Sequence, residues 1–317
     1  LQNVNASKEN LPDDVSTLLP SMQGIQAEES AYLDDDKVIY VSRPNDLNEK
    51  TSRRKVAEGV DYIFDQNATK MLLGRKMELN EQTGRRAELW ILDISTGKEK
   101  KIADYVNEAT LSPSGELIAV DDFDTGRIKL LSADGIFLKN IGTYGGLHLF
   151  SSDSKQFAYS KFSSSALNRD LPGDALGIAT YNLETGKEVL VTNSSEDGQP
   201  VAFSTDGKKL YFFSVRTNDY PLWVVDLESR KVTQLLGNYD WRNFSPNKSV
   251  LISSNNKTMI STSDDGVGVL TFNDKGEAIS SQLIQKGIDA RWFKEDEIIT
   301  YRAQGTKGKY WEFISVK

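Results

Sequence analysis

Two short segments, Tyr239-Asp240-Trp241-Arg242-Asn243-Phe244 and Ile288-Asp289-Ala290-Arg291-Trp292-Phe293, each hold an acid, an arginine and a tryptophan within four residues. A guanidinium grips carboxylates through two parallel hydrogen bonds, and an indole supplies flat apolar area, so this combination suits recognition of a peptide or protein surface. The same acids, with Glu108, suit a second chemistry: a pair of carboxylates flanking a glycosidic bond, one as acid and one as base. The competing account buries Trp241 and Trp292 between structural elements and satisfies the arginines with neighbouring carboxylates. His148 is the single histidine of the chain and there is no cysteine, which leaves no thiol nucleophile, no thiolate metal site and no imidazole to spare for a triad. No Gly-x-Ser-x-Gly elbow and no glycine-rich phosphate loop occurs. Asp121, Asp122 and Asp124 offer oxygens that suit Ca²⁺, but Asp is equally a turn residue, and the run is read as a solvated loop. Neither a metal nor a cofactor is expected.

The elements that must position these residues are short strands in a repeated unit. From Asp197 to Gly237 an apolar segment ends at Phe203, turns through Ser204, Thr205, Asp206 and Gly207, and resumes as Lys208-Lys209-Leu210-Tyr211-Phe212-Phe213. A second hairpin follows, turning at Glu228 to Arg230, so the unit reads as four antiparallel strands. The first turn recurs after Leu33, Phe64, Leu111, Phe150, Phe203, Phe244 and Phe293, at separations of 31, 47, 39, 53, 41 and 49 residues, the spacing of propeller blades.

The Phe-Ser-Pro/Thr-Asp/Asn-Gly turn, an apolar strand and then a turn such as Val225-Asp226-Leu227-Glu228 resemble the TolB-like β-propeller repeat over about residues 30–317. That resemblance implies the fold and says little of activity, since such blades serve in periplasmic scaffolds, peptidase propeller domains and polysaccharide lyases. The expectation is therefore an all-β chain: a single propeller of four-stranded antiparallel blades, seven with a truncated first one, or six as the alternative. The first unit shows no convincing third strand between Leu47 and Gly59, and the last supplies only three, Ala290–Phe293, Glu297–Ala303 and Lys309–Val316. A sheet edge left open is a liability, so a segment within residues 12–58 is expected to pair with the last blade and close the ring. Residues 1–28 are read as leader and closing segment, and 29–317 as the propeller.

Strand connectivity places the long segments Met77–Glu88 and Lys161–Gly177, read as loops between second and third strands, on the face where each first strand is entered. Tyr144, His148, Asp240, Trp241, Arg242, Asp289, Arg291 and Trp292 fall on that face or beside the central channel, and they are the candidate binding residues. The formal charge of −8 disfavours nucleic acid, and no run of eighteen apolar residues suggests a transmembrane segment. A chain beginning at Leu1, free of cysteine, with Asn-, Ser-, Asp- and Thr-rich loops, is read as a processed, extracytoplasmic and lipoprotein-like product. The functional expectation is a monomeric, non-enzymatic binding or scaffold propeller that meets a protein or peptide at the cell envelope. The alternative is a polysaccharide lyase or glycosidase using Glu108, Asp240 and Asp289.

Overall fold

The computed structural model describes residues 2–4, 30–33, 37–42, 54–67, 69–80, 84–122, 125–143, 147–163, 174–194, 198–214, 221–235, 249–253, 256–262, 266–273, 277–285, 287–293, 298–305 and 308–315. Gln2–Val4 is β1, and Ser30–Leu33, Val38–Ser42 and Arg54–Glu58 are β2 to β4. Tyr62–Gln66, Lys70–Asn80, Gly84–Asp93 and Glu99–Val106 are β5 to β8. Ala109–Leu111, Leu117–Asp122, Arg127–Ser132 and Phe137–Thr143 are β9 to β12; His148–Phe150, Gln156–Phe162, Ala175–Asn182 and Glu188–Leu190 are β13 to β16. Gly198–Phe203, Lys209–Ser214, Leu222–Asp226 and Val232–Gln234 are β17 to β20; Ser249–Ile252, Thr258–Thr262, Gly266–Phe272 and Ala278–Gln285 are β21 to β24. Gly287–Phe293, Ile298–Gly305 and Gly308–Ser315 are β25 to β27.

Among the described residues these strands make seven antiparallel sheets, six of four strands and one, β2–β4, of three. Within six of the sheets the strands follow chain order, the seventh sets β1 beside β27, and β5, β9, β13, β17 and β21, the first strands of five successive sheets, pack one against the next. Two expectations are corrected here. The segment between Leu47 and Gly59 does contain a third strand, β4, which pairs with β3. The strand added to the last sheet comes from Gln2–Val4, with Asn3 opposite Ile314, and not from residues 12–58, whose described strands form their own sheet.

The packing explains why the middle strands lack the apolar/polar alternation of a one-sided sheet. In β10, Ile118 and Val120 turn toward the preceding sheet, where they join Leu72, Leu89 and Ile91, while Ala119 turns toward the next, beside Phe157 and Tyr159. In β6, Leu72 faces one way and Met71 and Leu73 the other. Both faces are therefore buried, and the core is a series of inter-sheet clusters, continued by Phe203, Leu210 and Phe212 with Ala158 and Ile178, and by Tyr211 and Phe213 with Met259 and Phe272. Each such side chain contributes about 1.5–3 kcal/mol by leaving water.

The repeated turn has a common chemistry. Ser112, Ser151, Ser204 and Ser253 are buried, and each hydroxyl accepts the backbone N–H five residues on, at 2.9–3.0 Å. The turn closes through a residue in the left-handed region, Gly115, Ser154, Gly207 or Asn256. These positions correct the register of the sixth unit. Ser249–Ile252, expected as the strand after a turn at Phe244, is the inner strand β21 itself, and the turn is Ser253–Asn256; Phe244 lies outside the described residues. Asn256 stands where two of the other turns carry Gly115 and Gly207, because its short polar side chain tolerates that backbone.

Successive turns are also stitched to one another. Lys70 Nζ donates to the Gly115 carbonyl (2.9 Å), Ser114 N–H to Ser154 Oγ (2.9 Å), Ser152 Oγ to the Thr205 carbonyl (2.9 Å) and Thr205 N–H to Asn256 Oδ1 (3.0 Å). Replacing Ser204 with Ala strips the acceptor from the part-buried Lys209 N–H, and should lower the unfolding free energy by about 1–3 kcal/mol in urea titrations. An unchanged midpoint would show that the hydroxyl does not hold the turn.

Candidate functional site

The inner strands β5, β9, β13 and β17 line an open channel of about 570 Å³, within the range of ligand-binding clefts. Its wall includes Tyr62, Phe64, Thr110, Leu149 and Pro200, with Glu108 and His148 among the polar contributions. A side cavity of about 240 Å³ opens beside it and shares Tyr62, Phe64 and Glu108. Asp65, also on the channel wall, is engaged: its Oδ2 accepts the Leu111 N–H at 3.2 Å and ties β5 to β9.

His148 begins β13 and is almost wholly enclosed, its side chain 1 % exposed, and Asp121 on β10 reaches it from the preceding sheet with a side chain 0 % exposed. Asp121 shares the face of Ala119, the face turned toward that sheet, so strand parity aims the carboxylate. His148 Nε2 lies 3.3 Å from Asp121 Oδ1, and neither atom reaches good hydrogen-bond geometry, so the contact is one of charge. On the other side of the ring, Thr110 Oγ1 donates to the His148 carbonyl (3.1 Å) and lies 3.0 Å from Nδ1. With its one proton given to the carbonyl, the hydroxyl meets Nδ1 as an acceptor, which assigns the proton there.

Burial pushes the Asp121 carboxyl above its ordinary value, and the pull of His148 offsets this only in part. For His148, burial acts downward, but the attraction of the Asp121 carboxylate and the field of Glu108 carry the imidazole above 6.5. Both shifts favour protonated forms in the folded protein. The stability that His148 contributes is present below its unfolded value of 6.5 and is lost as pH rises through the folded one, and that of Asp121 is present below 3.8 and is lost in the same way at its own raised value.

Of the sequence-derived candidates, His148 is placed in the channel wall with its ring nitrogens committed to Asp121 and Thr110. Asp289, Arg291 and Trp292 lie on β25, where Arg291 opposes Thr300 and Trp292 opposes Ile299, and a register shift falls between Ile288 and Arg291. Tyr144, Asp240, Trp241 and Arg242 lie outside the described residues. Met77–Glu88 is corrected: its described residues, 77–80 and 84–88, are no loop but extend β6 and β7, with Glu78 opposite Arg86 and Asn80 opposite Gly84. Of Lys161–Gly177, β14 and β15 take both ends. Asp122 pairs with Lys129 at 2.7 Å, and Asp124 lies outside the described residues. Sequence reasoning missed Asp121 as the partner of His148. The available signal was an acid continuing the apolar run Leu117-Ile118-Ala119-Val120, since an acid in a strand buried on both faces needs a cation.

His148→Leu leaves the Asp121 carboxylate buried without its cation and should cost about 3–5 kcal/mol at neutral pH. The loss should shrink on acidification, as Asp121 takes up its own proton. The parent protein should lose stability as pH rises above about 6.5, and Asp121→Asn should flatten that decline. Thermal unfolding across pH 5–9 checks both, and parallel curves for the parent and Asp121→Asn proteins would refute the linkage.

No family model matches the chain. An uncharacterized protein of Agrobacterium fabrum, Atu1656, is 29 % identical over 136 residues, 41 % of this chain and 43 % of that one, so the match spans less than half of either. Among solved structures, the tricorn protease superposes with a TM-score of 0.58 at 14 % identity, over 92 % of this chain and 33 % of that one. A chain of the mitotic checkpoint complex superposes at 0.59 with 11 % identity, over 91 % of this chain and 86 % of that one. A putative TolB from Agrobacterium tumefaciens is also among the matches, at 0.48 and 18 % identity, over 85 % of this chain and 97 % of that one. At such identities the likeness to the tricorn protease and to the mitotic checkpoint chain is one of fold, and with the serial four-stranded sheets above it makes the chain a β-propeller.

Proposed function

We propose that this chain is a non-enzymatic, exported binding propeller whose channel receives an extended segment of another protein. In this reading the seven sheets are seven blades, the first truncated, and β1 closes the ring by completing the last. The observation that carries the proposal is the state of the channel wall. Its imidazole is held between Asp121 and Thr110, and its Asp65 braces a backbone amide, so these two groups serve to hold the wall. The wall is built mainly of strand residues with turn residues such as Glu108, Ser152 and Thr205 between them, and it is mixed apolar and polar, as suits recognition. Tyr144, Asp240, Trp241, Arg242, Asp289, Arg291 and Trp292 are the proposed contacts at the channel mouth. Export is supported by the lack of cysteine and the polar loops; among the described residues no helix is long and apolar enough to cross a membrane.

Panning a random peptide library against the protein should return channel binders. Leu149→Trp, which fills the channel, should weaken them by about 2 kcal/mol or more in calorimetry, as should Arg242→Ala combined with Arg291→Ala. Undiminished binding by the filled channel would sink the proposal. Turnover of a polysaccharide that Glu108→Gln abolishes would establish the enzymatic reading in its place.

A further inference from the structure

We propose that the side cavity beside Glu108 is a recognition pocket for a cationic aliphatic side chain, lysine or arginine, carried by the polypeptide in the channel. The inference rests on the channel being a peptide receptor and adds what that peptide must contain. Because the cavity of about 240 Å³ shares Tyr62, Phe64 and Glu108 with the channel, a side chain can enter it while its backbone stays in the channel.

The cavity is built by local departures from regular sheet, all at one end of one blade. The β5–β6 register shifts between Ile63 and Asp65, around Phe64; the β6–β7 register shifts between Arg75 and Glu78, around Met77; and the β7–β8 register shifts between Ala87 and Leu89. Phe64, Met77 and Ala87 all line the cavity. The corresponding inner pairings of the next two blades, β9–β10 and β13–β14, run without a shift. A bulge re-aims a side chain, and three at one place re-aim a wall. Two non-glycine residues with left-handed backbone stand immediately before lining residues: Lys76 (φ 51°) before Met77 and Tyr105 (φ 56°) before Val106. Gly74 supplies the remaining room. A Cβ there would lie 3.0 Å from Phe64 Cε2 and 3.3 Å from Ala87 Cβ and from Tyr62 Cβ.

The chemistry of the lining selects the ligand. Tyr62 and Phe64 meet edge to face, their centroids 5.1 Å apart, and with Met77, Ala87 and Val106 they form an apolar sleeve suited to a methylene stem. Glu108 is the one carboxylate among the lining residues and the natural partner of a terminal cation, which the aromatic faces also attract. An acidic side chain is repelled, and the overall charge of −8 draws cationic segments toward the protein.

The test uses the full chain and four capped amino acids, the Nα-acetyl methylamides of lysine, arginine, norleucine and glutamate, titrated by two-dimensional NMR. The lysine or arginine amide should shift resonances around Phe64 and Glu108 and bind at least about tenfold more tightly than norleucine. Glu108→Gln should weaken the cations by about tenfold and leave norleucine unchanged, while Gly74→Ala, which crowds the wall, should weaken all of them; thermal unfolding confirms that each variant is folded. Equal binding of lysine and norleucine, no shift with either cation, or cation binding indifferent to Glu108→Gln would overturn the proposal. Selected channel peptides that bind without any preference for lysine or arginine would overturn the pocket and leave the receptor standing. Cation binding that no channel peptide displaces would support the pocket and sink the receptor.

Discussion

The middle strands β6, β10, β14 and β18 are buried on both faces, and the rest of the structure depends on that. A four-stranded sheet with two apolar faces cannot exist alone in water; it needs a neighbour on each side. Leu72 looks toward Ile118 while Met71 and Leu73 look toward Ile39, so removing one sheet exposes the faces of two others. The polar stitches between successive turns then set how the sheets are spaced. Lys70 to Gly115, Ser114 to Ser154, Ser152 to Thr205 and Thr205 to Asn256 are modest bonds one by one, but each lies at the inner ends of two sheets, where a small rotation would open or shut the channel.

This constraint also decides what the sequence could reveal. The fold was legible because the turn after each inner strand is a local device: a buried serine accepting a backbone N–H five residues on, then a residue able to take positive φ. Where the device used its commonest residues, as at Ser204 to Gly207, the register was read correctly. Where Asn256 replaced glycine, the look-alike at Phe244 took its place, and the sixth unit was displaced. The strand β4 was missed because Arg54-Lys55-Val56-Ala57-Glu58 carries little apolar signal; its Ala57 and Val56 pack against the neighbouring sheet, but its charged residues dominate the composition.

The site was less legible, for a reason of the same kind. His148 was visible as the one imidazole, and its position at the start of an inner strand could be read from the repeat. Its partner could not, because Asp121 belongs to another sheet and their meeting depends on which face of β10 turns toward β13. That parity is fixed by packing and not by spacing in the chain. The bulges around Phe64, Met77 and Ala87 left no compositional trace either. A bulge is a mismatch between two strands, and neither strand records it alone.

The pair and the bulged cavity occupy opposite sides of β9 and solve opposite problems. Between β10 and β13 a buried charge is neutralised inside the wall, which commits the imidazole and holds two blades in fixed relation. Between β5 and β9 the wall is instead deformed to leave a space, with the backbone of Lys76 and Tyr105 in a region costing about 1–3 kcal/mol each for residues with a Cβ. Such strain persists only where the surroundings over-determine the conformation. Here the ladders of β6 and β7 and the clusters on both sides of Leu72 and Leu89 supply that rigidity. A cavity held open in this way exists before any ligand arrives, so the ordering a flexible loop would undergo on binding has already occurred during folding. The stability of the inter-sheet clusters is thus what permits a strained, preformed recess next to a carboxylate, and the recess in turn is where a rigid all-β scaffold can discriminate among the side chains that enter its channel.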